Sequence, residues 1–255
     1  MKTFYFTATG NSLYIANSIG GEVISIPQAT KENFSYYEDE AIGFVFPCYC
    51  FGVPRIVKEF INNSDFKANY FFAIMTYGNI AAGGLSHFNE ILKKKSIKLD
   101  YANKIVMVDN YLPLYDINTQ LKKEPEKLIE NKLSKIKNDI ENRKQNNISN
   151  NFFLNVMSNL SYDYYEKNML DKNQKRFSIN SNCNGCGICS KVCPVSNITL
   201  NPMPVFHSKC ESCLACVHNC PQVAINMSGE KNSTRFRNKN INLKMIIDSN
   251  NQARQ

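Results

Sequence analysis

Tryptophan is absent from this chain, histidine occurs three times, and no apolar stretch approaches the roughly 18 residues that span a membrane. His87, His207 and His218 are scattered, and neither a Ser-His-Asp triad nor a pair of catalytic carboxylates can be identified. Basic and aromatic residues are not interleaved as in a nucleic-acid-binding module. The first residues enter a strand-like pattern directly, without a signal-peptide architecture, so we expect a cytoplasmic protein.

Two nucleotide-binding patterns are also missing. The sequence has no G-x-G-x-x-G, which would indicate a nicotinamide-binding module, and no G-x4-G-K-[ST] phosphate loop. Positive charge is present in excess, with a net charge of +8. Residues 229–255 hold six Lys or Arg against two Asp or Glu and form a basic tail. This tail either docks an acidic partner or packs against a negatively charged neighbour within the chain, and we favour packing.

What the chain does contain is two cysteine runs of identical spacing, C-x2-C-x2-C-x3-C-P, placed 27 residues apart. This is the ligand run of bacterial ferredoxins, in which three cysteines hold one 4Fe–4S cluster and the fourth ligates the other cluster. We therefore predict two clusters. One set of ligands is Cys183, Cys186, Cys189 and Cys220, and the other is Cys210, Cys213, Cys216 and Cys193.

Structural zinc and disulfides are the alternatives for these cysteines. Zinc sites use four ligands, usually as two separated pairs, and fit two duplicated runs of four poorly. Disulfides are uncommon in proteins without an export signal. Two cysteines remain, Cys48 and Cys50, which we interpret as small apolar residues rather than redox-active thiols. Oxygen-labile clusters also suggest an anaerobic setting.

Residues 1–145 alternate between short apolar runs and amphipathic patterns, which predicts a doubly wound parallel sheet of five strands. The strands are predicted at 3–6, 23–27, 41–46, 70–75 and 104–108, and a last helix at about 125–144. Such sheets bind ligands beyond the carboxyl ends of their strands. The first strand runs into Thr7-Ala8-Thr9-Gly10-Asn11-Ser12 and then a helix, an arrangement whose amides and helix dipole suit one phosphate.

The Thr-x-Thr-Gly-Asn-Ser loop, the Pro47-Cys48-Tyr49 loop and the Tyr77-Gly78-Asn79 loop resemble those of flavodoxins, which bind FMN. Their position ahead of the cysteine runs resembles the flavodoxin–ferredoxin fusion proteins of anaerobes. The resemblance implies strand order 2-1-3-4-5, followed by a small α+β two-cluster ferredoxin domain. It also implies that Thr7, Thr9, Gly10, Asn11 and Ser12 hold the FMN phosphate, while Pro47, Tyr49, Tyr77, Gly78 and Asn79 frame the isoalloxazine ring. Without tryptophan, a tyrosine or phenylalanine supplies any ring stacking.

These observations predict four parts of the chain. Residues 1–145 form a flavodoxin-like FMN domain, 146–175 a linker with a short helix, 176–228 the ferredoxin domain and 229–255 the basic tail. The predicted function is electron transfer between the clusters and FMN, as a carrier for redox partner proteins. The alternative is an oxidoreductase that passes electrons from ferredoxin or a nicotinamide to a small acceptor, and the sequence leaves this open. We identify no catalytic residue.

Overall fold

The computed structural model describes residues 1–31, 35–148, 152–168, 170 and 175–250. Parts of the predicted linker (149–151, 169 and 171–174) and of the predicted tail (251–255) lie outside this range. The boundaries between the four predicted parts of the chain remain predictions.

A five-stranded parallel sheet forms the centre of the N-terminal part and confirms the predicted sheet type. Its strands are β1 (Lys2–Tyr5), β2 (Glu22–Ser25), β4 (Ala41–Pro47), β6 (Tyr70–Tyr77) and β7 (Tyr101–Val106). The central strands β4 and β6 are apolar and buried along almost their whole length. Continuous apolar runs of this kind are typical of parallel strands covered on both faces.

The strand order along the sheet is β2-β1-β4-β6-β7, which differs from the predicted 2-1-3-4-5. Two short strands that the sequence analysis did not anticipate, β3 (Tyr36–Glu38) and β5 (Asp65–Lys67), pair with each other outside the main sheet and occupy the third and fifth places along the chain. Each has only three residues, of which at least two are exposed or half-exposed. Such short segments lack the apolar run by which the other strands were recognised.

Helices cover both faces of the sheet. The elements are α1 (Asn11–Ile19), α2 (Ile26–Ala29), α3 (Arg55–Asn62), α4 (Gly84–Lys94), α5 (Ile117–Lys122) and α6 (Ile129–Glu141). Apolar side chains of α3 and α4 pack with Phe4 and Phe44 on one face. Those of α1 and α6 pack with Val45 and Ile74 on the other. Because neighbouring residues of a strand point to opposite faces, each strand contributes to both cores.

Two predicted boundaries were wrong by several residues. The fifth sheet strand begins at Tyr101 rather than at 104, because Tyr101 pairs with Phe72 of β6 at the start of that ladder. The last helix begins at Ile129 rather than at 125. Leu128 precedes it with φ +47°, a left-handed conformation that separates α6 from a single 3-10 turn at Pro125–Lys127.

Helix α7 (Phe152–Asn168) follows and lies against the first part of the chain. The Ser158 hydroxyl accepts a hydrogen bond from the Gly83 N–H at 2.9 Å, and Lys58 pairs with Glu166 at 2.8 Å. Beyond it, each cysteine run ends in a one-turn helix, α8 (Ile188–Lys191) or α9 (Ala215–His218). Two antiparallel pairs surround these helices: β8 (Phe177–Ile179) with β11 (Ile225–Met227), and β9 (Ile198–Asn201) with β10 (Met203–Phe206).

The segment after β11 returns to the N-terminal part. Helix α10 (Leu243–Asn250) contacts α2 and α8, and the Ser249 hydroxyl bonds with the Tyr5 hydroxyl at 2.8 Å. Ile246 is fully buried in one core with residues of α1, α8 and the second cysteine run. The α10 part of the predicted tail is therefore packed against the rest of the chain, whereas its basic side chains Lys231, Arg237, Lys239 and Lys244 are exposed. No helix among the described residues is long and apolar enough to cross a membrane.

Candidate functional site

Eight cysteines line two separate small cavities in the C-terminal part. Both cavities draw three cysteines from one run and the fourth from the other. The first sulfur cavity is lined by Cys183, Cys186, Cys189 and Cys220, and the second by Cys210, Cys213, Cys216 and Cys193. The two groups have the same members as the ligand sets that the sequence predicts. Chain reversal after α8 and α9 brings each fourth cysteine to the opposite cavity.

Backbone N–H groups point at several of these sulfurs. Asn197 donates to Cys193 Sγ at 3.1 Å, Ser212 to Cys210 Sγ at 3.3 Å, and Ala224 to Cys220 Sγ at 3.3 Å. Such hydrogen bonds stabilise thiolate and tune the potential of a ligated metal centre. Burial acts in the opposite direction on the free thiols and raises the pKa of both Cys189 and Cys210 to about 11. Ligation by iron would supply the positive charge that these buried sulfurs lack.

The sulfur arrangement bears on the zinc alternative. Among the described residues, no three His, Cys, Asp or Glu side chains lie close enough to ligate one metal ion. Sulfurs at the corners of a cubane stand farther apart than the ligands of a single ion. The described residues therefore offer no ready site for a single zinc ion.

The two runs reach the same loop shape with different residues. Gly185 and Gly187 have φ +70° and +77°, and their counterparts 27 positions later, Ser212 and Leu214, have φ +55° and +60°. Glycine adopts the left-handed backbone conformation readily, whereas for a residue with a side chain this conformation is unfavourable by on the order of 1–2 kcal/mol. Leu214 is 3% exposed, so its backbone strain is accompanied by full burial of the side chain. The strained residue lies where the second cysteine run meets the sheet.

At that junction lies a large cavity of about 460 Å³, at the carboxyl ends of β1, β4, β6 and β7. Of the ten residues predicted to bind FMN, eight line it: Thr7, Thr9, Asn11, Ser12, Pro47, Tyr49, Tyr77 and Gly78. The other two do not. A side chain at Gly10 would meet Ile241 at 2.9 Å, and the Asn79 amide donates to the Asp109 carboxylate at 3.0 Å.

The phosphate-type loop between β1 and α1 is held from several sides. The Thr7 hydroxyl accepts from the Gly10 N–H at 3.0 Å, and the Thr9 hydroxyl accepts from the Asn110 amide at 2.7 Å. The Asn238 N–H donates to the Thr9 carbonyl at 2.8 Å. Asn11 and Ser12, the first residues of α1, line the large cavity, so the N-terminus of this helix faces it. An anion there would meet the positive end of a helix dipole.

The rest of the large cavity includes further aromatic side chains that the sequence analysis missed. Tyr111 and Tyr115 come from the segment after β7, and Tyr165 comes from α7. Burial raises the pKa of both Tyr49 and Tyr165 well above the usual value, so both phenols are neutral at physiological pH. Tyr165 is remote in sequence from every predicted flavin loop, and no local pattern marks it. The tyrosine-rich stretch at 162–165 was the available signal.

Asp109 is the acidic residue among the described side chains that line the large cavity. Its carboxylate accepts hydrogen bonds from the Asn79 amide at 3.0 Å and the Tyr111 N–H at 3.2 Å. Burial raises the pKa of this carboxyl above its usual value. Gly78 is required opposite it, since a Cβ at that position would lie 2.0 Å from Asp109 Oδ2. The sequence analysis did not identify Asp109, which directly follows the strand predicted at 104–108.

Three side chains of the second cysteine run join the two parts. Glu211 is 2% exposed, its Oε1 accepts from the Ile56 N–H at 3.0 Å, and its Oε2 lies 3.6 Å from Arg55 Nε. His218 bonds through Nε2 to the Asn110 carbonyl at 2.8 Å and through Nδ1 to the Phe236 N–H at 3.1 Å. The Asn219 amide donates to the Ala8 carbonyl at 3.1 Å. The cysteine run is thus bonded to α3 and to two loops that border the large cavity.

The remaining candidate residues have structural surroundings. Cys48 lines the large cavity, and burial raises the pKa of its thiol to about 12, so the thiol is neutral there. His87 accepts a hydrogen bond from the Val53 N–H at 3.3 Å and packs edge-on against Tyr162. His207 lies 2.9 Å from the Thr199 hydroxyl. These contacts account for all three side chains without a metal.

Comparison with known proteins identifies a 4Fe-4S binding domain at residues 179–199, which include the first cysteine run. The C-terminal part is therefore ferredoxin-like and binds at least one 4Fe–4S cluster, which indicates iron–sulfur electron transfer. No curated protein matches the chain. Among solved structures, the Trp repressor binding protein from Bacillus subtilis is similar with 13% identity and a TM-score of 0.32, over 41% of this chain and 83% of that protein. A likeness at that score carries no argument about this chain.

Proposed function

We propose that this chain is an electron-transfer flavo-iron–sulfur protein, which holds two 4Fe–4S clusters and FMN and serves as a carrier for redox partner proteins. One observation carries the proposal: Cys213 and Leu214 line both the second sulfur cavity and the large cavity. A cluster in the former and a ligand in the latter would be separated by little more than one side chain. Electron transfer is favoured by such proximity, and linkage in one chain removes a diffusional encounter.

The second cluster rests on the grouping of the cysteines. Cys193, Cys210, Cys213 and Cys216 converge on one cavity, as their counterparts do in the other half. All ten cysteines of the chain are free of disulfide bonds, so all eight in the two runs are available as ligands. Iron–sulfur clusters exchange single electrons, and the surrounding amides and the extent of burial set their potentials.

FMN fits the large cavity on three counts. Its volume of about 460 Å³ lies within the usual range for ligand pockets, about 300–1,000 Å³. The start of α1 offers a phosphate site that needs no lysine or arginine, and none lines the cavity among the described residues. Tyr49, Tyr77 and Tyr165 offer aromatic surface for a flat ring. Bound FMN would supply one- or two-electron chemistry, and the chain would hold it beside the second sulfur cavity.

Purification of cysteine variants without oxygen tests the ligand assignment. Cys186→Ala and Cys213→Ala should each lower the iron content by about half and leave the flavin bound, since each removes a ligand of one cluster. Cys50→Ala is the matched control, because this exposed cysteine belongs to neither run, and its iron content should be unchanged. Full iron content in Cys186→Ala or Cys213→Ala would refute the assignment.

A second variant tests the flavin site. Thr9→Leu should weaken FMN binding, because the larger side chain would crowd the loop before α1. In the wild-type chain the Thr9 hydroxyl bonds to the Asn110 amide. The measured quantity is flavin occupancy at limiting FMN, and iron content is the internal control. Unaltered occupancy would move the phosphate site to another part of the large cavity.

Asp109 favours a second candidate function, an oxidoreductase that acts on a small acceptor. A buried carboxyl with a raised pKa is suited to hold a proton beside a redox cofactor, which a pure one-electron carrier does not require. Anaerobic stopped-flow mixing with NADH, NADPH or reduced ferredoxin separates the two functions. Fast reduction by ferredoxin alone supports the carrier, and fast reduction by a nicotinamide supports the enzyme.

A further inference from the structure

A second sizeable pocket, of about 440 Å³, opens on the surface beside the first sulfur cavity. Cys220 and Pro221 line both, so the pocket and the sulfur cavity are one residue apart. We call it the basic pocket, since its other wall carries three cationic residues, Arg235, Arg237 and Lys239, and none of its lining residues is acidic. A molecule seated there would lie against a predicted cluster ligand.

Residues 175–243, which include most of the lining of the basic pocket and of the first sulfur cavity, carry an excess of positive charge. Residues 175–243 contain eight Lys or Arg and two Asp or Glu. Both acids are withdrawn from solvent: Glu211 is 2% exposed, and Glu230, with its side chain 16% exposed, pairs with Arg235 at 3.2 Å. Exposed charge in this range is therefore cationic. An approaching protein with an acidic surface would be attracted to this face and oriented by it.

The three cations of the pocket differ in role. The Arg235 side chain is only 7% exposed and pairs with Glu230, while its buried Nε has no hydrogen-bond partner among the described residues. Arg237 is exposed, and its guanidinium donates to the side-chain oxygen Oδ1 of Asn219 at 3.4 Å, near the limit of a hydrogen bond. Lys239 is 73% exposed and lies 3.9 Å from Glu124. Arg237 and Lys239 are therefore the two cations of the pocket that incoming carboxylates can reach.

Exposure of the predicted ligands distinguishes the two sulfur cavities. Cys186 is exposed and Cys183 half-buried in the first, whereas Cys193 and Cys216 are buried in the second. The first cavity is therefore the one that a protein partner can approach, and the second faces the large cavity.

From these observations we infer that the basic pocket and the surrounding cationic face dock an acidic one-electron carrier protein, which meets the chain at the first sulfur cavity. The carrier gives up one electron to the iron–sulfur centre, and no bond or proton changes hands. This inference rests on the proposed function, because it takes the first sulfur cavity as a cluster site. A broad cationic face is more suited to a protein surface than to a small anion.

Binding of an acidic two-cluster ferredoxin to the holoprotein, followed by calorimetry, tests the inference. The double variant Arg237→Gln/Lys239→Gln should raise the dissociation constant about five- to tenfold at low ionic strength, and the difference should shrink as salt is added. The matched control is Lys94→Gln/Lys98→Gln, which removes the same charge from exposed positions on and after α4. Its dissociation constant should change less than about twofold.

Two outcomes overturn the inference. An equal effect of both double variants would show that only net charge matters and that the pocket is no docking site. Specific binding of inorganic phosphate at constant ionic strength, lost in Arg237→Gln/Lys239→Gln, would assign the pocket to a small anion instead. The iron content and flavin occupancy of each variant distinguish failure of the docking inference from failure of the cofactor proposal. Normal cofactors without a docking effect reject the docking surface alone, and missing flavin rejects the proposed function.

Discussion

The buried Glu211 carboxylate accepts the backbone N–H of Ile56, at the start of α3, at 3.0 Å. Glu211 lies between Cys210 and Ser212, so this bond joins the second cysteine run to a helix of the parallel sheet. Arg55 adds a second link, since its guanidinium donates to the Cys210 carbonyl at 3.3 Å. The relative position of the second sulfur cavity and the large cavity thus depends on a side chain that ligates nothing.

Replacement of Glu211 by Ala should lower the free energy of unfolding by about 2–4 kcal/mol, because it leaves the buried Ile56 N–H without its acceptor and removes the ion pair with Arg55. Thermal unfolding without oxygen, followed by circular dichroism, measures this. Glu38→Ala is the control, since Glu38 belongs to an exposed ion pair with Lys67 and its replacement should change the free energy of unfolding far less. Equal shifts in both variants would contradict a joining role for Glu211.

Because of His87, the free energy of unfolding should fall in mild acid. Burial lowers the pKa of His87 to about 4, below the unfolded value of 6.5, so between these values the unfolded chain binds more protons. The stabilisation is complete above pH 6.5 and is lost as pH falls towards 4, by at most about 1.4 kcal/mol per pH unit. Melting temperatures between pH 7 and pH 5 measure it.

His87→Gln is the variant for this test. Its amide oxygen can accept the Val53 N–H but does not titrate, so the part of the pH slope due to this residue should disappear. An unchanged slope would assign the acid sensitivity to another group. Since His87 packs against Tyr162 of α7, flavin release in the wild-type protein should follow the same pH range.

Gly78→Ala should damage the large cavity selectively. The new methyl group would lie 2.0 Å from the Asp109 carboxylate and displace a wall of the cavity. We expect FMN affinity to fall roughly tenfold, the effect of about 1.4 kcal/mol, with iron content unchanged. The double variant Gly78→Ala/Asp109→Gly removes every Asp109 side-chain atom that the new methyl group would meet and should recover part of the affinity. Flavin titration by fluorescence measures both, and equal losses in the single and double variants would rule out this clash as the cause.

Leu214→Gly should remove the side chain that separates the second sulfur cavity from the large one. Relief of left-handed strain, about 1–2 kcal/mol, offsets much of the lost burial of about 2–3 kcal/mol, so stability should change little. Access to the cluster should increase, and cluster absorbance in air should bleach several-fold faster. Val192→Ala is the control, since this buried residue lines neither cavity. Equal bleaching rates in wild type and Leu214→Gly would show that Leu214 is no barrier.

The parts of the fold that sequence predicted are those with local signals. Continuous apolar runs identified the five sheet strands, and the repeated cysteine spacing grouped the eight sulfurs as the structure does. Strands β3 and β5 were not predicted, because three residues are too few to show a hydrophobic period. Gly10 was assigned to the phosphate from its loop, whereas its packing against Ile241 depends on a residue 231 positions away.

The junction between the two parts could not be predicted for the same reason. Tyr165, Glu211 and Asn219 reach the large cavity or its loops from remote positions, and a tyrosine, glutamate or asparagine in isolation indicates nothing about its partner. Glu211 in particular resembles any charged residue of a ferredoxin loop until the N-terminus of α3 is placed against it. Contacts between distant segments depend on the packed fold rather than on local propensity.

Helix α10 has a consequence for how the chain is made. Its Ser249 hydroxyl bonds to Tyr5 of β1, 244 residues earlier. On the ribosome, where about 5–20 residues are added each second, the sheet face that receives α10 stays open until both cysteine runs have emerged. Such long-range contacts form late in folding. The nascent protein therefore passes through a stage in which both cysteine runs are complete but the closing helix is not yet docked.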